Sequence, residues 1–278
     1  MKILLTGASG LVGSHLLKKL ASFGYDVERL HSSESSTIDF TSDWNFDQVH
    51  SIPDCIIHLA QSPDFRLFPE KAIDIFKVNT ISTLKLIDWA RKNFVSRFIF
   101  ASSGGIYGFG PELKSEFEPV QFDPDLGFYL TSKYCSELIL DNYRSFMTII
   151  KLRLFFVYGR GQKKDMLIPR LIENVRSGNP ITIQNNGGMQ TNPTHVSDVV
   201  NGIISSLNLS ESNTINLAGP ETLSIQQMVT IIGDKLNCEP NIQIDDKKST
   251  RLIPDLVRMK EILGESKVKF EEGIIDCI

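Results

Sequence analysis

The sequence predicts an α/β fold built on a doubly wound parallel sheet, with a smaller C-terminal α/β lobe attached. Three observations carry that expectation. Short apolar runs alternate with longer segments whose apolar residues recur every three or four positions, which is a βαβ rhythm. Two of the runs, CIIHLA (55–60) and RFIFAS (97–102), are apolar almost without interruption, as suits strands covered on both faces. A glycine-rich turn, TGASGLVG (6–13), follows the first run directly and opens a helical segment.

Strands are placed in order at KILLT (2–6), DVERLH (26–31), CIIHLA, RFIFAS and MTIIKLR (147–153). Helices are expected near 11–23, 71–93, 129–144, 165–178, 195–208 and 224–236, with Gly24 capping the first. After about residue 160 the rhythm loosens, and RSGNPITIQNNGGMQTNP (176–193) reads as turns around one short strand. The main domain is therefore set at 1–160, with return segments near 191–218. The smaller lobe takes 161–190 and 219–278.

A chain of 278 residues, 41% hydrophobic and 22% charged, can bury a sizeable core. Its formal charge of -4 argues against nucleic acid and anionic membranes as partners. The opening MKILLTG is too short for a signal-peptide core, and no apolar run is long enough to span a bilayer, so a cytoplasmic protein is expected. Cys55, Cys135, Cys238 and Cys277 lie far apart and read as reduced structural residues, with no metal site among them.

Gly7, Gly10 and Gly13 are spaced so that a tight turn feeds into a helix N-terminus, where backbone amides of Gly10, Leu11, Val12 and Gly13 can approach a pyrophosphate. The alternative, a turn that only packs helix on strand, is weaker because a strand and a helix flank it directly. The place at the end of the second strand where an acidic residue would bind the adenosine ribose holds His31, followed by Ser32. No carboxylate there excludes a 2′-phosphate and no arginine welcomes one, so NAD and NADP both stay open.

Tyr129 and Lys133, four apart at the start of a helical run, share a face. A lysine ammonium beside a phenol lowers the tyrosine pKa towards the working range of a general acid or base. Such a pair arises by chance often enough that alone it carries little. FIFASSGGIYG (98–108) strengthens it, because in a doubly wound sheet the carboxyl ends of strands form the ligand crevice, which places Ser102 and Ser103 there.

On these residues the chain resembles the extended short-chain dehydrogenase/reductases that act on nucleotide sugars, the NAD-dependent epimerase/dehydratase group. The likeness runs in order through TGASGLVG, DCIIHLA (54–60), VNTISTLKLIDWA (78–90), ASSGGIYG (101–108), YLTSK (129–133), LRLFFVYGRGQ (152–162), HVSDVV (195–200) and PDLVRMKEILG (254–264). It implies a Rossmann-type sheet whose dinucleotide-binding domain is the main one and whose smaller lobe binds substrate. By that resemblance Tyr129 is the general acid/base, Lys133 holds the nicotinamide ribose, and Ser103, four residues before Tyr107, hydrogen-bonds the reacting oxygen. Asp39 and Phe40 correspond to the adenine side of the cofactor, Leu59 and Ala60 to the loop against it, and Phe156 to a further cofactor contact. The family's homodimer would form through Ile73, Phe76, Ile81 and Leu84, although the same pattern suits a buried face.

Where the 4,6-dehydratases of the family carry an acidic pair, this chain has Gly104 and Gly105, which favours simple hydride transfer at one sugar carbon. Phe156 stands where relatives have Asn, and Thr191 where they have Arg, so diphosphate recognition would rest on Arg251 with Lys247 or Lys248. Tyr107 packs near the cleft and is kept as a candidate substrate contact, as are Ser102 and Phe128. His58 reads as a hydrogen-bonded core histidine, His195 as a capping or packing residue, and Asn79 as a surface or helix-packing residue at a position the family often fills with Asn.

The function this implies is NAD(P)-dependent hydride transfer at a carbon, C4, of a nucleotide sugar, by a 4-epimerase or a 4-ketoreductase, which need the same three groups. Two alternatives stand beside it: reduction of a small carbonyl compound without a nucleotide, and a cofactor-sensing module without catalysis.

Overall fold

The computed structural model describes residues 1–30, 39–42, 45–47, 49–120 and 126–278, together with the backbone of 32–33 and 36–37. His31 and the side chain of Ser32 lie outside the described residues. The chain divides into two units. The first comprises 1–106, 121–153 and 200–215, and the second 107–120, 154–199 and 216–278.

The first unit is organised by a six-stranded sheet. In chain order its strands are β1 (Lys2–Thr6), β2 (Asp26–Leu30), β3 (Cys55–His58), β4 (Arg97–Ser103), β5 (Thr148–Leu154) and β6 (Asn213–Leu217). They lie side by side in the order β6-β5-β4-β3-β1-β2. β1 pairs in parallel with both β2 and β3, and β3 with β4. The strand order reverses at β1, so the crevice at its carboxyl end, where Thr6 faces Leu30 and His58, is the place such sheets use for ligands. β6 has no counterpart among the expected strands, because NTINL alternates polar and apolar residues and lacks the continuous run that marked the others.

Helices connect these strands. α1 (Leu11–Ser22) buries Leu16 and Leu20, and after it the Gly24 amide donates to the Ala21 carbonyl at 3.0 Å. The single helix expected near 71–93 is three segments: α2 (Ala72–Phe76), a π-helical turn at Lys77–Ile81 and α3 (Ser82–Lys92). The cause is local. Ser82 Oγ donates to the Val78 carbonyl at 2.5 Å and Thr83 Oγ1 to the Asn79 carbonyl at 2.7 Å, so side-chain hydroxyls take up carbonyls that a regular helix would bond through amides. α4 (Phe128–Asp141) follows β4. Leu4, Ile56, Leu86, Phe98, Phe100 and Leu140 form the apolar core of this unit.

The second unit contains α5 (Leu167–Ser177) and α7 (Ile225–Leu236), packed through Ile172, Val175, Met228 and Ile232. The helix between them in sequence, α6 (Val196–Ser206), links the units along the chain. The stretch 176–193 contains two strands rather than the one expected. Ile181–Gln184 pairs with Ile242–Asp245, and Gln190–Thr191 lies between Leu223–Ser224 and Arg251–Leu252. The second is only two residues long, too short to show an alternation.

Two glycines shape the turn after β1. Gly7 has φ +71°, and a Cβ on it would lie 2.7 Å from the Ala60 nitrogen. A Cβ on Gly13 would lie 2.1 Å from the Gly7 carbonyl oxygen, so α1 can approach the turn only with glycine there. Gly13→Ala is therefore expected to cost about 3 kcal/mol by overpacking. Urea denaturation tests this, and an unchanged midpoint with unchanged slope would contradict the close approach.

Candidate active site

The glycine loop, the segment after β3, the end of β4 and the start of α4 all belong to the first unit. Their contacts are mutual. The Leu59 amide donates to the Thr6 carbonyl at 3.3 Å and the Ala60 amide to Thr6 Oγ1 at 3.2 Å, which lays Leu59 and Ala60 against Gly7. α1 begins at Leu11 with Gly10 as its N-cap, no side-chain cap and no acidic residue in its first turn. The first-turn amides of Leu11, Val12 and Gly13 have no helical acceptor and face the positive end of the helix dipole. This close, uncapped cradle fits a dinucleotide pyrophosphate.

The other cofactor candidates are differently placed. The Asp39 carboxylate accepts from the Thr41 amide and hydroxyl, each at 2.8 Å, in an exposed turn. Phe40 buries its ring in the core with Leu4 and Leu30, so its side chain is a packing residue. His58 is fully buried and neutral. Thr6 Oγ1 lies 2.6 Å from Nδ1 and Thr83 Oγ1 lies 3.0 Å from Nε2. Because Thr83 already donates to Asn79, Nε2 carries the proton and Nδ1 accepts from Thr6. Burial, with the Lys133 charge adding to it, lowers the His58 pKa to about 3. The core-histidine expectation holds.

Ser103 ends β4, and its Oγ accepts from the Gly105 amide at 3.1 Å. Ser102 Oγ is buried and has no partner among the described residues, which suits a ligand contact. A Cβ on Gly105 would come within 2.8 Å of Leu130 Cδ2, so Leu130 occupies the space a side chain at 105 would need.

Lys133 reaches from α4 to β4, its Nζ donating to the Ala101 carbonyl at 2.9 Å and lying 4.9 Å over the Phe100 ring. It is 1% exposed, and burial pulls its pKa down to about 7, with Glu137 opposing that fall. Tyr129 is half-buried and its hydroxyl donates to Gln61 Oε1 at 2.9 Å. The expected lowering of the tyrosine pKa is corrected here. Desolvation holds the phenol above its ordinary value, while the Lys133 ammonium is engaged with a carbonyl.

Behind Lys133 lies a buried ionic face that the sequence reading missed. Glu137 and Asp141 follow Lys133 at four-residue intervals on α4. Arg153 meets Glu137 through two bonds of 3.1 and 2.7 Å, and Lys151 meets Asp141 at 2.7 and 2.9 Å. Asn79, read as a surface or helix-packing residue, is buried: Oδ1 accepts from the Ser62 amide and Nδ2 donates to Ser132 Oγ, each at 2.8 Å. The signal for the ionic face was periodicity, polar residues Lys133, Glu137 and Asp141 at i, i+4 and i+8, which reads as solvated surface without the fold.

The remaining candidates belong to the second unit. The Tyr107 hydroxyl donates to Asn216 Oδ1 at 2.9 Å and its ring packs in an apolar cluster with Phe155 and Phe156. Phe156 has φ +36°, and its carbonyl accepts from the Thr194 amide at 3.1 Å. Thr191 is fully buried and donates to the Leu252 carbonyl at 3.0 Å. Arg251 is exposed, whereas Lys247 pairs with Asp245 at 3.1 Å. His195 is buried against the Tyr158 ring at 5.3 Å, with Nδ1 2.7 Å from Ser197 Oγ, as a packing residue.

Comparison with known proteins agrees with this architecture. Residues 3–218 match the model of the NAD dependent epimerase/dehydratase family. An uncharacterized UDP-glucose epimerase of Bacillus subtilis, YtcB, is 28% identical, over 95% of this chain and 92% of its own length. The crystal structure of UDP-glucose 4-epimerase from Thermotoga maritima with UDP-glucose superposes with a TM-score of 0.85 at 25% identity, covering 99% of this chain and 96% of that one. MoeE5, in complex with UDP-glucuronic acid and NAD, gives 0.86 at 24% identity over 99% and 97%, a likeness of fold.

His58 yields a pH prediction. Its folded value near 3 lies below the unfolded 6.5, so protonation favours unfolding. Its contribution is complete above 6.5 and is lost as pH falls towards 3, by about 1.4 kcal/mol per pH unit. Urea unfolding across that range should show this slope in the native protein and lose it in His58→Gln; equal slopes would refute it.

Proposed function

The chain belongs to the NAD dependent epimerase/dehydratase family, and we propose that it oxidises or reduces C4 of the sugar in a nucleotide sugar, as a 4-epimerase or a 4-ketoreductase. The observation that supports this is that α4 bonds both sides of the crevice, Lys133 to the Ala101 carbonyl two residues before Ser103 and Tyr129 to Gln61 beside the Ala60 that lies against the glycine loop. When bound, NAD supplies the nicotinamide that accepts or returns the hydride. The chain's own groups do the rest. The Leu11–Gly13 amides hold the pyrophosphate, the Gly10 amide being taken by the Gly7 carbonyl at 3.1 Å, while Lys133 holds the ribose and Ser103 the sugar oxygen, which Tyr129 deprotonates or protonates. A phenol raised above its ordinary value is matched to the protonated form, in which it donates to a forming alkoxide.

Gly104 and Gly105, with Leu130 filling the space beside the second, put no acid at the two positions where the family's dehydratases carry an acidic pair, which supports transfer at one carbon over dehydration. The UDP-sugars named with YtcB, MoeE5 and the Thermotoga enzyme support a nucleotide substrate. The buried Thr191 favours a second reading, a carbonyl substrate without a nucleotide, because its hydroxyl is already taken by Leu252. We further propose a homodimer that packs the stretch from α2 through the π-helical turn to α3, together with α4, into a four-helix bundle; on that stretch Ile73 is 71% exposed and Phe76, Ile81 and Leu84 are also exposed.

Incubation with UDP-, dTDP-, GDP- and CDP-hexoses and their 4-keto forms should reveal turnover that Tyr129→Phe lowers by about 10²–10⁴-fold. Unchanged kcat in that variant on a substrate the native protein turns over would remove the assignment. Competition by none of the free nucleotides would move the substrate to the second reading. Sedimentation should give twice the chain mass, halved by Ile73→Asp; a native monomer would dismiss the dimer.

A further inference from the structure

The phenol of Tyr129 has a partner that no motif announces. Gln61 lies in the segment leaving β3, between residues fixed by their own backbones. The Ala60 amide is bonded to Thr6 Oγ1 at 3.2 Å, and the Ser62 amide to Asn79 Oδ1 at 2.8 Å. Gln61 therefore projects from a held backbone, and its Oε1 receives the Tyr129 hydroxyl at 2.9 Å. The same segment grips the start of α4 twice more. The Phe65 ring lies 5.1 Å from that of Tyr129, and Phe68 stacks on Phe128 at 4.9 Å.

A carboxamide suits this position for a chemical reason. Through its carbonyl it accepts from the neutral phenol, which favours the protonated form. Ionised glutamate would add a negative charge beside the oxygen, and an apolar residue cannot accept. We propose that Gln61 is a positioning residue for Tyr129, holding the phenol oxygen in place in its protonated state until a substrate oxygen takes over the hydrogen bond. This rests on the reading of Tyr129 as the acid/base.

Charged groups stand on both elements that form the contact. Lys133 lies one turn along α4 with its ammonium on the Ala101 carbonyl, and Arg66 lies 5.0 Å over the Phe65 ring. Asp64 follows in the loop, its amide bonded to Ser62 Oγ at 3.2 Å. Substitution at 61 then has a defined sign. Gln61→Ala removes the acceptor that favours the neutral phenol and admits water to the phenolate, so acidity rises. Gln61→Glu sets a carboxylate beside the oxygen, so acidity falls.

The test is fluorine NMR of protein labelled with ring-fluorinated tyrosine, the Tyr129 resonance assigned by its loss in Tyr129→Phe. The chain has six tyrosines, and the others report whether each variant is folded. Gln61→Ala should lower the Tyr129 titration midpoint by about one pH unit, tenfold in acidity, and Gln61→Glu should raise it, with the other resonances unmoved. At neutral pH the Tyr129 resonance should differ between native and Gln61→Ala protein. Coincident midpoints and resonances in folded variants would overturn the proposal. If they move as expected while Tyr129→Phe leaves turnover unchanged, the contact stands and the proposed function falls; if they coincide while Tyr129→Phe abolishes turnover, only this proposal falls.

Discussion

The helix that carries Tyr129 and Lys133 is held to the sheet by charge, and the geometry of the candidate site depends on that attachment. Lys133, Glu137 and Asp141 descend one face of α4, and Arg153 and Lys151 rise from alternate positions of β5 to meet the two carboxylates. Burying such charges is expensive unless every one is paired. Here the pairing is dense: Glu137, 1% exposed, meets Arg153 at 2.7 Å and Lys151 at 3.7 Å. An apolar interface would tolerate sliding by a fraction of a turn, whereas paired charges of fixed direction tolerate little. Lys133, at the open end of this ladder, keeps Glu137 as the group that opposes its loss of charge.

A second set of polar contacts ties the segment after β3 to the same helix. The π-helical turn at Lys77–Ile81 carries Asn79 inward, where its amide bridges the Ser62 amide and Ser132 Oγ, and Ser132 in turn donates to the Tyr129 carbonyl at 2.7 Å. The Ser136 hydroxyl donates to the Asn79 carbonyl at 2.9 Å. An irregular helical turn with its carbonyls taken by side chains is a local cost, offset by satisfying four polar groups that burial would otherwise leave unpaired. Its product is register: Gln61, Tyr129 and the glycine loop are each fixed to β1, β3 or α4 by bonds rather than by packing alone.

Much of this was legible in the chain itself. Five of the six sheet strands, the glycine turn and the major helices follow from apolar period and glycine placement, because strands buried on both faces and amphipathic helices leave periodic marks on a sequence. Tyr129 and Lys133 were legible as candidates by type and spacing on one helix face, and Ser102 and Ser103 by their place at the carboxyl end of a strand, while the preference for Ser103 rests on the family resemblance. β6 and the two-residue strands left no such mark, since a short strand that alternates polar and apolar residues looks like a loop. The burial of the Phe40 ring with Leu4 and Leu30 was not legible either, because those apolar neighbours are brought together only by the fold.

The sequence by itself determined the fold class, the family and the residue types available for chemistry, because each depends on local spacing that the chain carries openly. Tertiary structure alone decided which polar residues are buried and with whom: Glu137 with Arg153, Asn79 with Ser62 and Ser132, His58 between Thr6 and Thr83, and Gln61 with the phenol of Tyr129. It also decided the direction in which the Tyr129 pKa moves. A lysine four residues away is visible in the sequence, but the loss of water around the phenol, which raises its pKa, exists only once the chain is folded.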